Sequence, residues 1–160
     1  MTPFVPFPDN CLSRQKGGAI IEFALILTLL ITLMAGIFEF GRAFWYYESL
    51  TKATRNGARM MSMASKSTIA SVGVSSTKSL VANAVIDAGV PSFSTTNVNV
   101  FCLDVSLSEK PCTDGSAPDN IRVEITGYTV TIGRFIPFLL GGSNQYTATF
   151  SPHTTMRYML

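Results

Sequence analysis

Few side chains in this 160-residue chain have the type and spacing to do chemistry. Cys102 and Cys112 stand on either side of LDVSLSEKP in the second half. Two thiols this close in an exported region most simply oxidise to one disulfide. The alternative is two independent thiols, one of them buried in a strand. A zinc site is not expected, because two thiols and the distant His153 make a poor ligand set. His153 lies between Pro152 and Thr154 and reads as a turn residue. Asp104, Asp114, Asp119 and Glu124 are separated by turns and form no carboxylate pair. No nucleophile elbow, zinc-protease helix, phosphate loop or dinucleotide fingerprint occurs. The expectation is a protein that is not an enzyme, with no cofactor and no metal. One carboxylate remains, Glu22, at the mouth of a long apolar run.

That run is the element that positions Glu22. Arg14 and Lys16 precede Gly17 and Gly18, and Glu22 follows four residues after Gly18. The next charge is Glu39, so Phe23 to Phe38 is an uncharged stretch of 16 residues. With Ala19, Ile20, Ile21 and Phe40 it approaches the ~20 residues that span a bilayer as a helix. An ionisable group in such a segment is costly and points to function. A secretory signal peptide is the competing reading. Its apolar core is usually ~7–15 residues and ends at a small-residue cleavage site. The run here is longer and ends Ala35-Gly36-Ile37-Phe38-Glu39, a poor match.

Composition agrees with a membrane segment joined to one small domain. The chain is 47% hydrophobic and only 14% charged, against ~25% charged in average soluble domains. A net charge of +2, without a basic patch of interleaved aromatics, excludes a nucleic-acid partner as an expectation. Arg14 and Lys16 favour a cytoplasmic N-terminus, although Arg42, Lys52, Arg55 and Arg59 beyond the run outnumber them. The orientation preferred is N-in and C-out, which also puts the cysteine pair in an oxidising compartment.

Met1 to Ser13, with Pro3, Pro6 and Pro8, reads as an unstructured leader. No proline lies between Pro8 and Pro91, and helix is expected from Gly18 to about Ala64. Thr28, Thr32 and Gly36 form a small-residue stripe. It reads equally as a helix contact face and as ordinary membrane-helix residues. Glu39 with Arg42, and Glu48 with Lys52, have the spacing of helical ion pairs. Phe44 to Tyr47 suit an interfacial aromatic belt. Ser65 to Lys78 reads as a loose linker, and Ser79 to Ala88 as a short helix ended by Gly89-Val90-Pro91. Beyond it the pattern turns to strands. They are expected at Asn97–Val105, at Ile121–Ile132 with a bend at Gly127, at Tyr146–Phe150 and at Thr155–Leu160. Phe135 to Leu140, closed by Gly141-Gly142, reads as a loop. The fold class expected is α+β: a long N-terminal membrane-spanning helix continuing into a small outer domain, with a short helix and an antiparallel sheet. The divisions are a leader at 1–17, the transmembrane and extended helix at 18–64, and the outer domain at 65–160.

GGAIIEFALIL, followed by GIFEFGRAFWYYESLTKATRNGARMMS, resembles the TadE-like family of minor pseudopilins in tight-adherence (Tad, Flp pilus) systems. The resemblance covers about residues 14 to 64 and is most specific at EFGR (Glu39 to Arg42) and ATRNGAR (Ala53 to Arg59). IRVEITGYTV and the final YTATF and MR are similar too, less specifically. The resemblance implies a type IV prepilin processing site. Gly17 would end the leader, Gly18 would be the mature N-terminus, and Glu22 would be the fifth mature residue. It implies as partners a prepilin peptidase, other pilins and pseudopilins, an inner-membrane assembly platform and membrane lipid. Members often carry a proline where Thr28 stands, so a straighter helix is expected here. A glycine before the cut admits an extended backbone to a protease without side-chain clash. Glu22, placed in the first turn of the mature helix, would gain ~0.3–1 kcal/mol from the helix dipole. That does not offset the ~2.5–3.5 kcal/mol of a charge at mid-bilayer. A neighbour's newly freed amino group is then a natural partner, and cleavage would license assembly. The bland alternative is that Glu22 merely snorkels to headgroups. The alternative function is an unprocessed single-span envelope protein whose outer domain binds a partner or ligand; an exported enzyme ranks below both.

Overall fold

The computed structural model describes residues 16–133 and 146–160. The leader reading at Met1–Ser13, with Cys11, and the loop reading at Phe135–Leu140 with Gly141-Gly142 lie outside the described residues. With no proline to stop it, α1 runs unbroken through Lys16–Ser62, 47 residues. At 1.5 Å per residue that is ~70 Å. Its most apolar window has a mean hydropathy of 2.5 and no buried residue. The helix is therefore compatible with a single-pass membrane protein.

The second half of α1 has a different surface. Leu50, Ala53, Thr54, Ala58 and Met61 are buried, at the spacing that makes one stripe of a helix. Gly57 lies in the same stripe, and a Cβ there would come within 2.5 Å of Val81 Cγ2. The absent side chain lets α1 sit directly on α2, Val74–Asp87. α2 returns the contact through Thr77, Val81, Ala82 and Val85. It ends where Gly89 takes φ +78°, the left-handed C-terminal position that glycine fills without strain.

The loose linker expected at Ser65–Lys78 is corrected by the structure. Lys66–Thr68 is a 3-10 turn, Ile69–Gly73 a π turn, and α2 begins at Val74. Ile69 and Gly73 are buried. Asp114, from a distant loop, accepts the N–H groups of Ala70 (2.7 Å) and Ser71 (3.2 Å). Long-range burial and a long-range cap thus order a stretch that local composition leaves soft.

The main sheet has the order β2-β1-β3-β6, wholly antiparallel. Its strands are β1 Val98–Leu103, β2 Glu109–Lys110, β3 Asn120–Ile125 and β6 His153–Arg157. In β3, Ile121, Val123 and Ile125 are fully buried, and the helices α1 and α2 cover the sheet. Val98 opposite Ile125 fixes the register of the central pair. The single strand expected over Ile121–Ile132 is also corrected. Gly127, at φ +70°, turns the chain out of the first sheet. Tyr128–Ile132 becomes β4 of a separate hairpin with β5, Tyr146–Phe150. Cys102 and Cys112 are joined, with Cα atoms 5.1 Å apart, closing the loop that carries β2.

Candidate functional site

Gly17 and Gly18 are the second and third residues of α1, and both are exposed. The bond between them is therefore helical in the uncut chain. Two adjacent glycines at a helix end, each weaker than alanine by ~1 kcal/mol, make this turn the easiest part of α1 to open. Glu22 is the seventh residue of the helix, and the first turn holds no acid. The dipole stabilisation expected for a mature helix therefore does not apply before cleavage. Every residue from Gly17 to Ile31 is exposed. Among the described residues no cation pairs with Glu22.

Thr28 and Thr32 donate their hydroxyls to the carbonyls of Ala24 and Thr28, both at 2.7 Å. Each polar group is thus satisfied within the helix, as a lipid environment requires. Gly36 follows on the same side, and a Cβ there meets nothing within 4 Å. One and two heptads further on, Ala43 and Leu50 are buried by the outer domain. The small-residue stripe is the upstream continuation of the face on which that domain sits.

The junction between the two halves is built around Glu39. It is only 3% exposed and accepts from Arg42 Nη2 at 2.8 Å. The same nitrogen donates to the Thr131 carbonyl of β4 at 3.1 Å. The Arg42 guanidinium lies 6.0 Å from the Tyr46 ring centroid, within range of a cation–π attraction. Tyr128, at the other end of β4, donates to the Pro91 carbonyl at 3.2 Å. Burial pushes its hydroxyl up to about 12, Tyr46 adds to the shift, and Arg42 opposes it. Trp45 Nε1 reaches the Ala88 carbonyl at the end of α2, at 3.3 Å. Tyr47 meets Phe150 edge-to-face at 5.5 Å.

The sequence pointed to Glu39 and Arg42 as a helical pair but not to their burial. Thr131, Tyr46 and Tyr128 carried no local signal of a shared site. Gly17, Gly18 and Glu22 are brought together on the bare helix, far from the Cys102–Cys112 bridge. His153 is exposed and opens β6 opposite Glu124.

A family model described as TadE-like protein matches residues 17–59. The match begins at Gly17 and takes in Glu22, Glu39 and Arg42. The match covers about a quarter of the chain and agrees with the resemblance carried by the N-terminal motifs. Among curated proteins and among solved structures, none matches the chain.

Proposed function

We propose that this chain is a minor pseudopilin, cut between Gly17 and Gly18 by a prepilin peptidase and then taking part in Tad/Flp pilus assembly and adhesion. It acts as an assembly component and not as an enzyme. Its place is the inner membrane, with a cytoplasmic N-terminus, a single span and a periplasmic outer domain. Its partners are the peptidase, other pilins and pseudopilins, and the inner-membrane assembly platform. The observation that carries the reading is the family match beginning at Gly17, with Glu22 facing outward on an apolar stretch of helix that the other described residues leave uncovered.

The physical argument follows from that helix. A carboxylate on an exposed apolar surface needs a cation once lipid surrounds it. Cutting before Gly18 removes Lys16 and frees an amino group four residues from Glu22. In a packed bundle the amino group of one subunit is then the natural counter-ion for Glu22 of the next.

The test is the N-terminus of the membrane-extracted protein, determined by mass spectrometry from cells with and without the prepilin peptidase. The expected result is a chain starting at Gly18 only where the peptidase is present. A chain starting at Met1 in both strains overturns the processing.

A further inference from the structure

We infer that the β4–β5 hairpin is a membrane-facing foot. It carries the outer domain down to the lipid surface, where the last described pair, Ile132 and Tyr146, contacts the bilayer. The inference rests on α1 crossing a membrane and concerns what that crossing does to the domain.

Two contacts fix the direction of the hairpin against α1. Arg42 bonds to Thr131 near the end of β4. Five residues further along the helix, Tyr47 packs on Phe150, which pairs with Tyr128 at the start of β4. From Tyr128 to Thr131 the strand advances ~10 Å, at ~3.3 Å per residue. From Tyr47 back to Arg42 the helix retreats ~7.5 Å, at 1.5 Å per residue. The strand therefore runs beside the helix, back toward its N-terminus. The Ile132–Tyr146 pair lies one step of ~3.3 Å beyond Thr131, at about the level of Phe40.

That level is ~3 Å beyond the end of the hydrocarbon core. Gly18 to Phe38 covers ~30 Å of helix, the thickness of a hydrocarbon core. Phe38 and Phe40 are 70% and 73% exposed, and Tyr146 is 63% exposed. Aromatic side chains at this depth suit the headgroup region. The placement also explains why Glu39 is buried. At the outer edge of the core, β4 and Arg42 cover a carboxylate that lipid would otherwise touch. The partner is lipid, because the Ile132–Tyr146 pair stands at the level where the exposed apolar surface of α1 leaves the bilayer.

The full chain is reconstituted in phosphatidylcholine–phosphatidylglycerol vesicles whose acyl chains are brominated at shallow or deep positions. The chain has a single tryptophan, Trp45, so Trp45→Phe gives a silent background. Three probes are placed in it: Tyr146→Trp at the hairpin end, Leu30→Trp in the span, and Val105→Trp, at a position 82% exposed at the far end of the sheet. The expected result is quenching of the Tyr146 probe by shallow bromines with blue-shifted emission, of the Leu30 probe by deep bromines, and no quenching of the Val105 probe. If the Leu30 probe is quenched and the Tyr146 probe emits as in water, the foot is wrong and the span stands. If the Leu30 probe is also unquenched, the span itself is wrong and the foot falls with it. Equal shallow quenching at Tyr146 and Val105 would mean a domain lying flat on the surface, which also overturns the inference. Native Trp45, next to the junction, is read in the unmutated chain as the folded reference. It lies ~10 Å beyond Phe38 along α1, and its emission must be the same in detergent and in vesicles for the probes to be compared.

Discussion

Glu22 and Glu39 are the same residue on the same helix, and their surroundings are opposite. Glu22 stands exposed on the half of α1 that nothing else in the described chain covers. Glu39 is buried, with Arg42 and Thr131 drawn in around it. A carboxylate answered within the chain stabilises that chain's own domain. A carboxylate answered only from outside makes the chain dependent on a neighbour. The structure divides α1 between these two surroundings within seventeen positions, and the division separates what folds the outer domain from what the proposed function gives to assembly.

The sharpest way to break this comparison is one substitution made at both ends. Leu50 is fully buried and Leu30 is 54% exposed. Leu50→Ala should destabilise the outer domain by ~2–5 kcal/mol, the range for emptied core sites. Leu30→Ala should leave it unchanged. Near-UV circular dichroism during denaturation of the detergent-solubilised protein reads both. If the two variants melt alike, the division of α1 is wrong.

Opening the Cys102–Cys112 bridge by replacing both cysteines with serine should cost ~2–4 kcal/mol, chiefly by freeing the unfolded chain. The same denaturation should show that loss, and a reductant should add nothing to the variant.

Glu39→Ala should cost the outer domain ~1.5–3 kcal/mol, the range for a hydrogen bond to a charged group. The Arg42 side chain is 27% exposed, which keeps the loss below that of a fully buried pair. Glu22→Ala should move the same melting curve by no more than ~0.5 kcal/mol and still abolish pilus assembly. Pili at wild-type levels from the Glu22 variant would remove the assembly role from that residue.

The smallest effect is on the acid side. Hydrogen bonds from Ser106, Lys110 and Ser108 hold the Asp104 carboxyl well below its usual 3.8. Bonds from Ser71 and Ala70 lower that of Asp114. A depressed folded value means stability that is present above pH 3.8 and is lost as the pH falls through the folded values. The outer domain should therefore weaken only below about pH 4. Asp114→Asn should flatten that acid limb when midpoints are compared across pH.

How much of this was legible depends on the reach of each interaction. α1 could be read to within two residues of its end, because helix continuity is local and no proline interrupts it. The alternation of Ile121, Val123 and Ile125 announced a buried strand face, and the spacing of Cys102 and Cys112 announced their bridge. Ser65–Lys78 was misread because what orders it is distant. The cap on Ala70 and Ser71 comes from Asp114, 44 and 43 residues away, and the N–H of Gly115 donates to the Lys66 carbonyl. Gly127 was recognised as a bend, but a bend alone does not say that two sheets diverge there. Glu39 looked like half of an ordinary surface pair because its covering strand lies some ninety residues away.

The unbroken course of α1 has a consequence for phase. Glu22 and the hairpin are mounted on one helical shaft, so the azimuth of the outer domain is set by the number of residues between them. One residue inserted after Phe38 would swing the domain ~100° about the shaft and lift it ~1.5 Å. Seven inserted residues would restore the azimuth to within ~20° while raising the domain by ~10 Å. The two insertions separate orientation from height, and a lattice of identical shafts would register each differently.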